Sequence, residues 1–161
     1  MYLSVIHSPL GLLTLAASDT ALTGLWFAGQ KYAPVHPEGI FRPEHPIFKQ
    51  TADWLSAYFC HSPLPPMPPL APYGTEFQQA VWQQLLSIPY GKTVTYGAIA
   101  AALRATGRTA SAQAVGSAVG HNPISILIPC HRVIGANGSL TGYAGGLEIK
   151  RQLLALECNV F

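Results

Sequence analysis

The sequence predicts a mixed α/β chain of the α+β kind. A small N-terminal unit of antiparallel sheet plus helix (residues 1–60) is joined by a proline-rich linker (61–72) to a mostly helical C-terminal unit (73–161) holding a helix–turn–helix. Three observations predict this. Short apolar runs broken by turn residues fill the first 30 positions, six prolines stand among the twelve residues His61–Pro72, and after Thr75 apolar residues recur at helical spacing.

Taken in order, Tyr2–His7, Leu12–Ala17 and Leu22–Phe27 read as strands of a meander, with turns at Ser8-Pro9-Leu10-Gly11 and Asp19-Thr20. Between Pro46 and Phe59 the period changes. Phe48, Ala52, Leu55 and Phe59 share one helical face, and Trp54 and Tyr58 read as core packing. The prolines that follow remove backbone donors and forbid helix, so 61–72 is expected to be extended. Thr75 with Gln78 forms a capping box for a helix whose stripe is Phe77, Val81, Leu85 and Ile88, stopped by Pro89-Tyr90-Gly91. Thr95 caps a short helix over Tyr96–Leu103. A connection with Gly107 and two arginines leads to a second helix over about Ala110–Val119, ended by Gly120-His121-Asn122-Pro123. That second helix is built from small residues, among them Ser111, Ala112, Ala114, Gly116, Ser117 and Ala118, which permit close approach to a partner helix or to a nucleic-acid groove.

Composition bounds the function classes. With 49% hydrophobic and 10% charged residues in 161, the chain can bury a core, and disorder is excluded. No apolar run reaches the length of a membrane span, and Met1-Tyr2-Leu3-Ser4 lacks the features of a signal peptide. Three widely spaced cysteines argue against a disulfide framework and for a reducing, cytoplasmic setting. The net charge of +2 divides as −1 up to Pro72 and +3 from Tyr73 onward, a mild bias that suits a polyanion without establishing one.

Chemistry is concentrated after Ile124–Ile128, an apolar run expected to be a buried extended segment delivering Pro129-Cys130-His131-Arg132-Val133. A nucleophilic cysteine needs thiolate character, a histidine can supply the base, and a third group usually orients that base. Glu157 and Glu148 are the main candidates for the third role. A lone Cys-His pair also fits a buried core cysteine. Zinc is disfavoured, because no second Cys/His cluster has ligand spacing.

Ile128-Pro129-Cys130-His131-Arg132-Val133 resembles the active-site signature of the O6-alkylguanine-DNA alkyltransferases, also called methylated-DNA–protein-cysteine methyltransferases. Further pieces match in order: Tyr96-Gly97-Ala98-Ile99-Ala100, Ala114-Val115-Gly116, Asn122-Pro123, Asn137-Gly138, Thr141-Gly142-Tyr143-Ala144-Gly145-Gly146, and Lys150 through Leu153-Leu154 to Glu157. The match is dense from about Phe77 to Glu157; the N-terminal unit resembles the family in layout only, and scaffolding is its default role.

The resemblance implies stoichiometric, self-consuming transfer of an alkyl group from O6 of guanine to Cys130, with His131 as base through a water and Glu157 orienting it. It also implies a base flipped out of the duplex. Tyr96 would donate to that base, and the backbone around Cys130, Val133 and Ala144 would read its edge. Tyr143 would wall the pocket, Gly145-Gly146 would let the loop lie close, and Asn122 would tie the recognition helix to the active-site loop. Ser111, Ala112, Ala114 and Gly116 would enter the minor groove, and Arg132 and Lys150 fall within the matched base- and DNA-binding segments. Asn137-Gly138 reads better as a hairpin turn. The expected partner is double-stranded DNA carrying O6-alkylguanine, met by a monomer without cofactor, metal or membrane.

Three departures stand out. Gln113 occupies the place of the family's arginine, which fills the gap left by the flipped base, so weakened DNA affinity or flipping is expected. The turn Arg104-Ala105-Thr106-Gly107-Arg108-Thr109 is a few residues longer than usual, and Ala144 stands where some members carry serine. Competing readings are a non-repairing lesion binder, a helix–turn–helix regulator with a structural cysteine, and a cysteine hydrolase. The first lacks the cysteine in known relatives, the second wants richer recognition side chains, and the third has no recognisable cleft here.

Overall fold

Alternation in the first residues becomes hydrogen bonding in the computed structural model, which describes residues 1–158. Strands β1 (Tyr2–Ser8), β2 (Gly11–Ala17) and β3 (Leu22–Phe27) form the expected antiparallel meander, with Tyr2 opposite Ala17 and Leu15 opposite Leu25. A fourth strand, β4 (Ile40–Phe41), joins parallel to β1 and gives the order β3-β2-β1-β4. Two residues are too short for alternation to reveal, which is why the sequence reading missed it. Helix α1 (Pro46–Phe59) starts on His45, whose Nδ1 accepts from the Ile47 N–H. It buries Phe48, Trp54, Leu55 and Tyr58.

The proline-rich segment is extended, as expected, and also pairs with the sheet edge. The Leu22 N–H donates to Pro69 C=O and the Ala71 N–H to Leu22 C=O, both at 2.8 Å. Further along the same edge, the Leu25 N–H donates to Pro123 C=O and the Ser125 N–H to Leu25 C=O. β3 therefore carries the linker at one end and the turn that leads to Cys130 at the other.

Helix α2 (Glu76–Leu86) has the full capping box, with Thr75 Oγ1 accepting from the Gln78 N–H and Gln78 Oε1 from the Thr75 N–H. Val81 and Leu85 are fully buried, each worth about 1.5–3 kcal/mol of apolar burial. Trp82, which the predicted stripe omitted, is also buried and donates its indole N–H to Ala118 C=O at 2.8 Å. That bond docks α2 against α4 (Ala112–Gly120), the second helix of the helix–turn–helix, while α3 (Tyr96–Ala105) packs on α4's flank. Strands β5 (Val94–Thr95) and β6 (Val133–Ile134) pair in parallel, and α5 (Leu147–Glu157) closes the described chain. One hydrophobic core runs through both halves, from Leu13, Leu25 and Tyr58 to Val81, Val115, Val133 and Leu153.

Three local expectations are corrected. Ser111 is the N-cap of α4 rather than part of it, its hydroxyl accepting from the Ala114 N–H at 3.1 Å. Ile124–Ile128 is buried but not extended: the Ile128 N–H donates to Ile124 C=O, closing a compact turn, and Ile126 sits at φ 71°. Asn137-Gly138 makes a turn, with the Gly138 N–H on Gly135 C=O, but β6 leaves it to pair with β5 and no hairpin forms.

Candidate active site

The turn at 124–128 explains how Cys130 is positioned. Left-handed φ is strained for a β-branched residue such as Ile126, costing about 1–3 kcal/mol. Asn122 holds it in place: its Nδ2 donates to Ile128 C=O (2.8 Å) and Ile124 C=O (3.2 Å), and its Oδ1 accepts from the Ile124 N–H (3.0 Å). Asn122 stands just past the His121 C-cap of α4 and is 3% exposed, so the end of α4 is hydrogen-bonded to the segment entering Cys130. From the N-terminal half, Gln30 Oε1 accepts from Ser125 Oγ at 3.0 Å on the same turn.

Cys130, His131 and Arg132 form a single 3-10 turn, all buried. Burial pushes the Cys130 thiol up, while contacts with Asn122, the Lys150 charge and Tyr143 pull it back toward thiolate. His131 is wholly buried and its Nε2 lies 3.0 Å from Glu157 Oε1, whereas its Nδ1 has no partner. Burial would raise the Glu157 carboxyl, but hydrogen bonds from His131 and Arg132 outweigh it and hold the group at about 2. An ionised carboxylate only accepts, so Nε2 carries the His131 proton and Nδ1 presents a bare lone pair. Burial also lowers the His131 pKa, against the pull of Glu157, which keeps the ring neutral. Glu148, the other candidate, is on the surface with Arg151 and Gln152.

Arg132 was expected among the DNA-facing residues, but its guanidinium turns inward. Nε reaches both Glu157 oxygens at 3.0 Å, Nη2 reaches Oε1 at 2.5 Å, and Nη1 donates to Ile88 C=O at 2.7 Å. A buried carboxylate needs these charge-assisted donors to stay ionised. Lys150 is likewise interior, fully buried, with Nζ donating to Thr141 C=O at 2.9 Å. Burial lowers it to about 8, partly offset by Cys130. The same Thr141 carbonyl accepts from the Tyr96 hydroxyl at 2.9 Å, so Lys150, Tyr96 and the 141–146 loop meet at one acceptor.

That loop walls the thiol. Tyr143 is buried with its hydroxyl beside Cys130 and Ser125. A Cβ on Gly145 would stand 2.9 Å from the Tyr143 ring and 3.2 Å from Phe27, so only glycine fits there. Gly146 takes φ 102°. Ala144 C=O accepts from the Lys31 N–H, and Tyr32 stacks on His121 at 3.9 Å between ring centroids. Between this loop and α4 opens a cavity of about 260 Å³, lined by Tyr32, Gly116, Ser117, Gly142, Tyr143 and Ala144. Val133 is fully buried in β6, and its N–H donates to Cys130 C=O.

Ser111, Ala112, Gln113 and Ala114 are all exposed at the front of α4, while Gly116 faces the Tyr96 ring. Arg104 is committed to Ala110 C=O and Arg108 lies 3.5 Å from Glu76. No group of three or more His, Cys, Asp or Glu suited to a metal occurs among the described residues. The sequence reading left out Tyr58, whose hydroxyl donates to Glu157 Oε1 at 3.1 Å from α1. A tyrosine on an apolar helix face carries no signal of where its hydroxyl ends.

The fold and site together define a class: a chain with a helix–turn–helix of small residues beside a buried cysteine served by a neutral, carboxylate-held histidine. Comparison with known proteins gives that class its family. Residues 1–70 match the 6-O-methylguanine DNA methyltransferase ribonuclease-like domain, and residues 76–159 match the 6-O-methylguanine DNA methyltransferase DNA-binding domain. The chain belongs to the 6-O-methylguanine DNA methyltransferase family.

It is 49% identical to the methylated-DNA–protein-cysteine methyltransferase of Mycobacterium tuberculosis over 152 residues, covering 94% of this chain and 89% of that one. To the enzyme of the same name from Methanosarcina acetivorans it is 45% identical over 157 residues, covering 98% of each. In structure it resembles the M. tuberculosis OGT in complex with DNA, with TM-score 0.83 and 44% identity over 99% of this chain and 94% of that chain.

Proposed function

We propose that this protein repairs alkylated DNA by moving the alkyl group from O6 of guanine onto Cys130, once per molecule. The observation that carries the reading is the bare Nδ1 of His131, fixed by the Nε2–Glu157 bond in the residue that follows the buried Cys130. Family membership and the likeness to a DNA-bound relative support DNA as the partner.

Chemically, His131 Nδ1 takes the thiol proton through a water, and the Cys130 sulfur displaces guanine from the alkyl carbon. An S–C bond forms, the C–O6 bond breaks, and its electron pair stays on O6; the guanine regains one proton, balancing the one lost by the thiol. Lys150 adds a positive charge that favours thiolate. The thioether product has no good leaving group, so the chain is consumed. The exposed small residues at the front of α4 suit a minor-groove approach with little base discrimination. The cavity beside Tyr143, lined in part by Ala144, is where a flipped base would be received. Free, exposed Cys60 and Cys158 fit a reducing, cytoplasmic setting.

The test is a duplex carrying radiolabelled O6-methylguanine. Wild-type protein becomes labelled to one equivalent, and Cys130→Ser takes up no label while still retaining the duplex. Label transferred to the Cys130→Ser protein would sink the assignment. Lesion DNA retained by wild type without transfer would favour a lesion-binding protein.

A further inference from the structure

Four hydrogen bonds converge on a single carboxylate oxygen, Glu157 Oε1, and one comes from the N-terminal half. His131 Nε2 and Arg132 Nε stand 3.0 Å away, Arg132 Nη2 stands at 2.5 Å, and the Tyr58 hydroxyl donates at 3.1 Å. Tyr58 is 1% exposed and belongs to α1, separated by 99 positions from Glu157. Its ring is clamped by Trp54, stacked at 5.4 Å, and by Phe59 and Tyr90 edge-on at 5.3 and 6.0 Å. A buried phenol held that firmly is a fixed donor, and the bond it makes lies on the same oxygen that orients the base.

We infer that Tyr58 is a positioning residue for alkyl transfer: by donating to Glu157 Oε1 it sets how much of the carboxylate's charge His131 experiences, and so keeps His131 a neutral acceptor. The inference rests on the reading of Cys130 as acceptor and His131 as its base. It gives the N-terminal half a part in the chemistry beyond scaffolding.

Titratable and charged groups face this cluster from every element packed on it. Tyr58 comes from α1, Tyr90 from the turn after α2, Cys130, His131 and Arg132 from the 3-10 turn, and Lys150 and Cys158 from α5 and its end. Arg132 and Lys150 disfavour a charged His131, and Glu157 favours one. Each donor on Oε1 draws charge from the carboxylate and weakens its pull on the imidazole proton. Removing the Tyr58 hydroxyl leaves Glu157 ionised through Arg132 and His131, but returns charge toward Nε2. His131 then protonates at higher pH, and a protonated His131 accepts nothing.

The experiment is Tyr58→Phe, which keeps the ring, with Leu55→Ala as a packing control on the same helix. The His131 titration is followed by imidazole nitrogen NMR in the free protein, alongside the pH profile of single-turnover transfer from an O6-methylguanine duplex. In Tyr58→Phe both the titration and the acid limb move up by about half to one pH unit, a roughly 3- to 10-fold rate loss on that limb. In Leu55→Ala the melting temperature falls while neither curve moves. Superimposable curves for Tyr58→Phe and wild type overturn the inference. A moved NMR titration in a protein whose wild type transfers nothing overturns the alkyl-transfer reading and leaves the Tyr58–Glu157–His131 linkage standing. If Tyr58→Phe does not fold, the wild-type spectrum decides. A hydroxyl proton of Tyr58 protected from exchange, and lost in Glu157→Gln, is the expected result; its absence overturns the inference.

Discussion

Asn122 shows how much one side chain can fix. Its amide satisfies three backbone groups of the 124–128 turn, all buried. Removing it strands the Ile124 N–H in the interior and leaves the Ile124 and Ile128 carbonyls with one backbone donor each, from Ile128 and Cys130. Asn122→Ala is expected to lose about 1–3 kcal/mol of stability, the cost of one buried unsatisfied donor. Thermal melting checks the stability, and transfer by the surviving folded protein should also slow because Cys130 loses its register. An unchanged melting temperature would mean that the turn holds itself. Asn-Pro after a helix was legible as turn chemistry, and the ordered motifs marked Cys130, His131 and Glu157. Tyr58 and the inward turn of Arg132 were not legible, because nothing in a local pattern tells which long polar side chain will cross the core to a carboxylate.

At the scale of elements, capping and periodicity carried the reading well: Thr75 and Thr95 cap α2 and α3 as expected. Where sequence reading failed, the elements were held by long-range bonds. β4 is two residues zipped to β1, and the β-branched run at 124–128 is bent by Asn122 and by its bridge to Leu25. Propensity favoured a strand there, and tertiary hydrogen bonding overrode it. Helix α4 presents Gln113 exposed at its front, where the family places arginine, while Arg104 is engaged with Ala110. Gln113→Arg is therefore expected to tighten lesion-duplex binding by roughly 5-fold, on the order of 1 kcal/mol for one charge-assisted contact. Binding titrations at two salt concentrations check this, with the gain shrinking at the higher salt. Identical affinities would show that the glutamine already serves.

For the molecule as a whole, the same buried network links function to acid stability. Glu157 is held at about 2 against an ordinary 4.5, so its contribution is fully present above 4.5 and is lost as pH falls from there to about 2. His131 is depressed below its ordinary 6.5, so the unfolded chain binds the proton more readily and stability also declines as pH drops below 6.5. Both slopes have the same sign, and Glu157→Gln is expected to flatten the loss between 4.5 and 2, read by urea melts across that range. An undiminished slope would place the acid sensitivity elsewhere. The continuous core and the β3 edge, which carries both the linker and the Cys130 turn, make the two halves one mechanical unit around this network. The prolines mark a linker in the sequence; the bonds that stitch it to β3 were not legible, because they are backbone bonds that no side-chain pattern records. The central claim, a single alkyl transfer to Cys130, is tested most directly by intact mass and peptide mapping after incubation with an O6-methylguanine duplex. The account predicts one methyl group per chain, located on Cys130, with one guanine restored for each. An unchanged mass after full exposure to the lesion, or a methyl group found on Cys60 or Cys158 instead, would contradict it.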